Sequence, residues 1–477
     1  MKTGNWKEWR DGCGWLMGAS LILTGLGSLT TAQASQVADP KETGPYEVGI
    51  VRDMITNGGR NVPVYIFYPV DKSSLPLPAS SKFNYEIWTT LQSDGEPNWV
   101  SVPSAIWEQN GVDVGYNSAP VSSKGPFPMV VFSNGGGCET TLHIKHHTRL
   151  ASHGIVVAAV LWHTTDFPFG ASCQSNTGRP GSDRLHYYRP RNIQIMLDRV
   201  LARNSTAGDL LNGKIDASKI VATGMSLGGS DVLALVAGRS NTTGTIVPDP
   251  RIGGVILLDG STWMFRAEDL KKITVPLLTI GKAAGTAAAP FPNPLNGVPG
   301  IHTARVHNLA SSGVKYRVDV QKTTHGSHIV SNCAYLYVAI DAGLLAGPRS
   351  RFDGSCNNPS KILLEADYQK TMFTYVIAFL RTHIEEKLGY GDVLTPGWTI
   401  NADANADFFS NSNGGSTDYR PQVAANGCTN IDGDFQYRLR QPGMTTNNAS
   451  TDRAETSFTD AVDMADEDDL KGKLLAQ

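Results

Sequence analysis

Short apolar runs alternate with segments of helical periodicity along most of the chain. The runs predicted as strands lie at residues 46–52, 61–68, 128–133, 155–161, 219–223, 254–258, 276–281 and 315–320. The segments predicted as helices lie at residues 141–153, 191–203, 230–238 and 368–388. Continuous apolar strands that alternate with helices predict a mostly parallel central sheet with helices on both faces. The first two strands are joined by Asn57-Gly58-Gly59, a turn signal that predicts a hairpin at a sheet edge.

Two stretches fall outside this alternation. Residues 71–125 lack regular periodicity but contain several tryptophans and tyrosines, which favours an ordered cap or pocket wall over a disordered loop. Residues 396–477 differ in character: Asn, Gly, Ser and Asp dominate residues 401–416, and residues 460–469 form an acidic run. They are predicted to be a C-terminal extension, packed in part and flexible at its end. The main domain is therefore predicted at residues 35–395.

The N-terminus has the pattern of a secretory signal peptide. Lys2, Lys7 and Arg10 precede an apolar run at 15–29, and Ala32-Gln33-Ala34 supplies an A-x-A cleavage site. A membrane anchor is the alternative, but the run is short and interrupted by glycines. We expect residues 1–34 to be removed and the protein to be secreted or periplasmic, without a stable membrane anchor.

Composition narrows the possible classes further. The chain of 477 residues is 40% hydrophobic and 18% charged, which suits a globular enzyme, and its net charge of −3 argues against a nucleic-acid-binding protein. Export would permit disulfides. Cys333–Cys356 is the preferred bridge because it closes a short loop, although other pairings stay open.

The strongest chemical signal is the sequence Gly-Met-Ser-Leu-Gly-Gly at residues 224–229. It lies between the strand at 219–223 and the helix at 230–238. Strand, G-x-S-x-G and helix together form the nucleophile elbow of hydrolases, in which small flanking residues permit a sharp turn that exposes the serine hydroxyl. Ser226 is the predicted nucleophile, and an ordinary glycine turn is the alternative.

An acid and a base should follow the nucleophile in chain order. Asp259 ends the strand at 254–258, at the carboxyl edge where sheet enzymes place their chemistry. His325 follows the strand at 315–320 and is the predicted base. The alternatives are a helix-capping role for Asp259 and His328 as the base.

Stabilisation of a tetrahedral oxyanion requires two amide donors. Leu227, as the residue after the nucleophile, should supply one. The other should come from the glycine-rich loop after residue 133, with Gly136 as the first choice and Gly137 next. A plain glycine turn is the alternative for this loop.

The helix predicted at 141–153 carries a candidate metal site. His143 and His147 have the i, i+4 spacing of a ligand pair, with Glu139 and His146 near them. Nothing nearby completes a site, so we expect a solvated helix face, no metal and no cofactor.

Several of these motifs together resemble a known family. Residues 132–136, 150–154, 213–216 and 224–229, and the helix beginning at Arg189-Pro190, resemble the group that contains the platelet-activating-factor acetylhydrolases. Dienelactone-hydrolase-like and cutinase-like esterases share much of this pattern. The resemblance covers about residues 46–388 and implies an α/β-hydrolase fold with a Ser-His-Asp triad.

Within the resemblance, residues 257–265 look like the acetylhydrolase segment that bears the catalytic aspartate, which is Asp259 here. Cutinase-like enzymes place this acid after the next strand, where residues 281–286 contain none. Asn134 and Met225 replace histidines that are usual in the family, which implies altered pocket polarity.

The sequence therefore predicts an exported serine esterase that acts on a small-molecule or polymeric ester. A cutinase-like polyester depolymerase is the alternative among enzymes. A non-catalytic binding module on the same fold is the alternative of another class.

Overall fold

The computed structural model describes most of the chain between residues 39 and 410. The described residues are 39–74, 81–91, 97–135, 140–161, 182–240, 243–262, 265, 267–282, 301–320, 323, 325–352, 356, 364–387, 389–394 and 406–410. The predicted signal peptide and cleavage site lie outside them.

Strands and helices alternate as the apolar pattern predicts. The strands are β1 (Glu47–Asn57), β2 (Arg60–Val70), β3 (Glu86–Leu91), β4 (Pro97–Ser101), β5 (Tyr116–Asn117), β6 (Phe127–Ser133), β7 (Val156–Val160), β8 (Ile215–Met225), β9 (Arg239–Ser240), β10 (Thr245–Ile246), β11 (Ile252–Leu258), β12 (Leu277–Lys282), β13 (Lys315–Val320) and β14 (Ala406–Ser410). The α-helices are α1 (Ser104–Gln109), α2 (Ile144–Ser152), α3 (Ser182–Ser205), α4 (Leu227–Ala237), α5 (Ala267–Leu270), α6 (Ile301–Leu309), α7 (Asn332–Asp341) and α8 (Glu365–Phe379). Of these described helices, none combines the length and apolar character needed to cross a membrane.

One sheet of ten strands organises the molecule. Its order is β14-β13-β12-β11-β8-β6-β7-β2-β1-β5. The six neighbouring strands β7, β6, β8, β11, β12 and β13 pair in parallel. On one side of them the β1–β2 hairpin pairs antiparallel with β7 through β2, and on the other side β14 pairs antiparallel with β13. The carboxyl ends of the parallel strands therefore meet at one edge, where the predicted site residues follow them.

The sheet separates two hydrophobic layers. Val130 and Phe132 of β6 pack on one face with α2, α7 and α8, whereas Met129 and Val131 pack on the other with α3, α4 and α6. Successive strand residues point to opposite faces, so apolar residues at consecutive positions are required when both faces are covered. This architecture confirms the predicted α/β-hydrolase fold.

The aromatic-rich segment at 71–125 has more regular structure than its sequence suggests. It contains the β3–β4 hairpin, α1 and β5, and its Tyr85 and Trp107 are fully buried. Their rings pack edge-to-face, 5.4 Å apart, and Tyr85 also stacks on Phe67 of β2. The aromatic side chains thus extend the core over one face of the sheet.

The predicted C-terminal extension also contributes to the sheet. Residues 406–410 form β14, which pairs antiparallel with β13 from Tyr316 to Val320. The sheet therefore continues past residue 395, where the main domain was predicted to end.

The predicted disulfide is present. Cys333 at the beginning of α7 is bonded to Cys356, with 5.7 Å between the Cα atoms. The bridge therefore closes a loop that contains most of α7 and ends before α8.

Candidate active site

Ser226 occupies a strained turn between β8 and α4. The strand ends at Met225 and the helix begins at Leu227, so a single residue makes the reversal. Ser226 has φ 53° and ψ −121°, a conformation that costs about 1–3 kcal/mol for a residue with a side chain. Such strain persists only where the surrounding structure enforces it, and a strained serine between a strand and a helix is the geometry that a nucleophile elbow requires.

Glycines permit the backbone to pack closely around this turn. A Cβ added at Gly224 would lie 2.1 Å from the carbonyl oxygen of Gly228, and one at Gly228 would lie 2.1 Å from that of Ser133. A Cβ at Gly229 would lie 2.4 Å from the Cα of Gly260. All three distances are prohibitive, so these positions require glycine for space.

Asp259 lies next to Ser226 because β11 and β8 are neighbours. Leu258 pairs with Met225, and the Ser226 amide donates to the Leu258 carbonyl at 3.1 Å. The Ser261 amide donates in turn to the Ser226 carbonyl at 2.9 Å. Asp259 itself has φ 46° and is half-buried. The strand end that carries the predicted acid is therefore bonded directly to the nucleophile turn.

The loop after β6 also approaches the nucleophile. A Cβ at Gly135 would lie 2.8 Å from the sulfur of Met225 and 3.1 Å from the Cβ of Ser226. Leu227 is the first residue of α4, as an oxyanion donor on this elbow requires. Gly136 and Gly137, predicted to supply the second donor, lie outside the described residues.

His325 begins a 3₁₀ turn, His325–His328, shortly after the carboxyl end of β13. The residues that follow are tethered to the beginning of α2 and to the turn just before it. The Ser331 amide donates to the Leu142 carbonyl at 2.8 Å, and the Lys145 amide donates to the Ser331 hydroxyl at 2.9 Å. The turn therefore lies at the edge that carries Ser226 and Asp259. The position of the His325 side chain is outside the described part of the structure, so its role stays a prediction.

His328 is fully buried and engaged elsewhere. Its Nδ1 lies 2.6 Å from the hydroxyl of Tyr368 on α8. Burial, reinforced by the negative charge of Asp259, raises the pKa of Tyr368 well above its usual value, so the tyrosine keeps its proton. This contact engages one ring nitrogen of His328 and holds the buried imidazole against α8, which disfavours His328 as the base.

Sequence reasoning assigned no role to Arg189 and Asp231, which form a buried ion pair beside the elbow. Arg189 of α3 donates from Nε to Asp231 Oδ2 of α4 at 2.8 Å, and both side chains are 1% exposed. Asp231 interrupts the otherwise apolar run of α4, and this isolated charge was the signal available in the sequence. In the sequence, Arg189 stands out only through the Arg189-Pro190 motif that resembles the family.

The histidines of α2 correct one expectation. His143, His146 and His147 do not form a solvated helix face, because all three are buried and pack around the ring of Phe132. Burial lowers the pKa of His146 to about 3, so the ring is neutral at ordinary pH. Within the described part of the chain, no group of three or more His, Cys, Asp or Glu residues could hold a metal ion.

Comparison with known families agrees with this geometry. Residues 31–174 match the family model described as platelet-activating factor acetylhydrolase, isoform II. The match confirms the resemblance inferred from the sequence and supports an ester hydrolase in general. The matched segment includes β6 and the glycine loop after it but ends before Ser226, so it does not assign the individual catalytic residues.

Proposed function

Taking the likeness to the platelet-activating factor acetylhydrolase family as a premise, we propose that this protein is an exported serine esterase. Ser226 attacks the ester carbonyl, and His325 accepts its hydroxyl proton. Asp259 orients the imidazole and stabilises its cation. The Leu227 and Gly136 amides bind the tetrahedral oxyanion. The alcohol leaves with the proton from His325, and water then hydrolyses the acyl-enzyme by the same proton route.

The observation that carries this proposal is the strained backbone of Ser226. A serine at φ 53° between a parallel strand and a helix, enclosed by glycines that tolerate no Cβ, has no packing explanation of its own. It has a chemical one, since the turn presents the hydroxyl at the carboxyl edge beside Asp259 and Gly135. The engagement of His328 with Tyr368 supports His325 as the base.

The test is hydrolysis and covalent labelling by the mature protein. We expect turnover of p-nitrophenyl acetate or butyrate, and a fluorophosphonate adduct on the tryptic peptide that contains Ser226. Ser226→Ala should lose both, whereas Ser205→Ala, at the exposed end of α3, should keep both. A folded protein with neither turnover nor adduct would instead fit the non-catalytic binding module.

The substrate class can be narrowed in the same assay. Short-chain esters, an acetylated phospholipid of the platelet-activating factor type and a polyester film represent the proposed classes of substrate. Release of soluble products from the film at a rate comparable with the small esters would favour the polyester depolymerase alternative.

A further inference from the structure

Three elements converge on the loop that follows β6, through one buried polar network. The Ser133 hydroxyl donates to Asp231 Oδ2 at 2.7 Å, and Arg189 Nε donates to the same oxygen at 2.8 Å. The Arg189 guanidinium also approaches the Ser133 hydroxyl at 3.3 Å and donates to the backbone carbonyl of Asn134. The network thus joins β6, α3 and α4 directly behind Gly135.

Stability alone is a weak reason for this network. Burial raises the pKa of Asp231 and lowers that of Arg189, because both ions lose their hydration. A buried ion pair often contributes no more to the free energy of unfolding than apolar side chains of similar volume would. What apolar packing cannot do is hold a particular carbonyl in a particular direction, and here the guanidinium holds that of Asn134.

The direction of that carbonyl fixes the amide that follows it. In a planar trans peptide the C=O of Asn134 and the N–H of Gly135 point in opposite directions. With the carbonyl held toward Arg189, the amide faces away from the network. Gly135 also lies against Ser226, because its added Cβ would be 3.1 Å from the serine Cβ. The anchored peptide therefore fixes the direction in which the chain passes Ser226 at Gly135.

We propose that Arg189, supported by Asp231 and Ser133, is a positioning residue that fixes the Asn134–Gly135 peptide beside Ser226, and with it the start of the loop proposed to supply an oxyanion donor. The proposal rests on the esterase function given above. Because Asp231 lies on α4, the same network ties the two sources of oxyanion donors together: the β6 loop and the beginning of the nucleophile helix.

The test is the conservative variant Arg189→Lys, which keeps the buried charge but lacks the fork that reaches Asp231 and Asn134 together. An orientation lost by about 1 Å can cost on the order of 100-fold in rate. We expect kcat for a p-nitrophenyl ester to fall by about that factor with KM nearly unchanged. The affinity for benzeneboronic acid, which forms a tetrahedral adduct on an active-site serine, should fall in parallel.

Arg381→Lys is the matched control. Arg381 is also buried, pairs with Glu385 and donates to a backbone carbonyl, that of His153. His153 precedes β7, so this network lies at the opposite edge of the sheet from Ser226. Arg381→Lys should lower the melting temperature as Arg189→Lys does but leave kcat and boronate affinity intact.

Two results would overturn the proposal. One is wild-type kcat and boronate affinity in folded Arg189→Lys; the other is an equal loss of both in the Arg381→Lys control. Should Arg189→Lys fail to fold, Ser133→Ala keeps the ion pair and must show the same pattern at smaller size. If the wild-type protein hydrolyses the ester and Ser226→Ala does not, the proposed esterase function stands whatever the result for Arg189. If the wild-type protein is inactive, both proposals are wrong.

Discussion

A substitution at Asp259 can change the chemistry of the side chain without disturbing the backbone conformation. Its φ of 46° is tolerated by Asn about as well as by Asp, so Asp259→Asn should fold normally. The amide would present the wrong partner to the imidazole and leave its cation unstabilised. We expect kcat to fall by about 10⁴, or about 5 kcal/mol of transition-state stabilisation, with the melting temperature unchanged.

The control for that substitution is Asp269→Asn, which removes a carboxylate paired with Lys272 at the surface. It should leave kcat and melting intact. Near-normal turnover in folded Asp259→Asn would mean that the acid is another residue, and the segment at 71–125 would be the first place to search.

The two histidines of the 3₁₀ turn should respond differently to substitution. His325→Ala should remove turnover with little loss of stability. His328→Ala should keep most turnover but lower the free energy of unfolding by about 1–3 kcal/mol, because the buried Tyr368 hydroxyl loses its hydrogen-bond partner. Ester kinetics and urea unfolding of both variants make the comparison. The reverse result, with His328 essential and His325 dispensable, would exchange their roles.

At the scale of secondary structure, the local sequence pattern predicts an element correctly where the residues of that element alone determine it. The strand predicted at 315–320 is β13 to the residue, and the sharp turn at Ser226 between β8 and α4 followed from five positions in sequence. β14 was missed because an edge strand is defined by pairing with β13, while its own residues lie among Asn, Asp and Ser. Pairing of that kind leaves no period in the sequence.

The burial of the α2 histidines was missed for a related reason. His146 is enclosed by Phe132 of β6 and Phe373 of α8, the second of which is more than two hundred positions away in sequence. Histidines at i, i+3 and i+4 describe a helix face but not what covers it. Only tertiary packing decides whether such a face is exposed to solvent or buried.

The disulfide links the beginning of α7 to the segment before α8. Cys333 and Cys356 are 23 positions apart, and closing a loop of that length stabilises the folded chain by about 3 kcal/mol in the chain-entropy model. We expect the double variant Cys333→Ser, Cys356→Ser to lose about that much free energy of unfolding, measured in urea.

Reductant provides the control for the disulfide prediction. Dithiothreitol should destabilise the wild-type protein toward the double variant and leave the variant itself unchanged. Equal stability of oxidised and reduced wild-type protein would contradict a stabilising role for the bridge.

For the molecule as a whole, buried neutral histidines predict how stability depends on pH. Burial lowers the pKa of His146 to about 3, that of His153 to about 4 and that of His307 to about 3. Below the ordinary value of about 6.5, the unfolded chain binds protons that the folded chain does not. The free energy of unfolding should therefore fall as pH decreases from about 6.5 toward 4, by up to about 1.4 kcal/mol per pH unit for each such histidine.

Substitution of one histidine isolates its share. His146→Leu keeps an apolar side chain against Phe132 and Phe373 and removes one titrating group. Urea unfolding at pH 7, 6, 5 and 4 should show a shallower decline for the variant than for the wild type measured in parallel. An unchanged slope would mean that His146 takes up its proton equally in both states.

The position of β14 has a consequence for how separate molecules behave toward one another. Without residues 406–410, β13 would present a row of unpaired N–H and C=O groups along an open side of the sheet, and such a row is a template for strands of other copies. A chain shortened at residue 395 would keep every predicted catalytic residue. It should nevertheless self-associate, so that removal of the C-terminal extension causes aggregation before it causes any loss of catalytic activity.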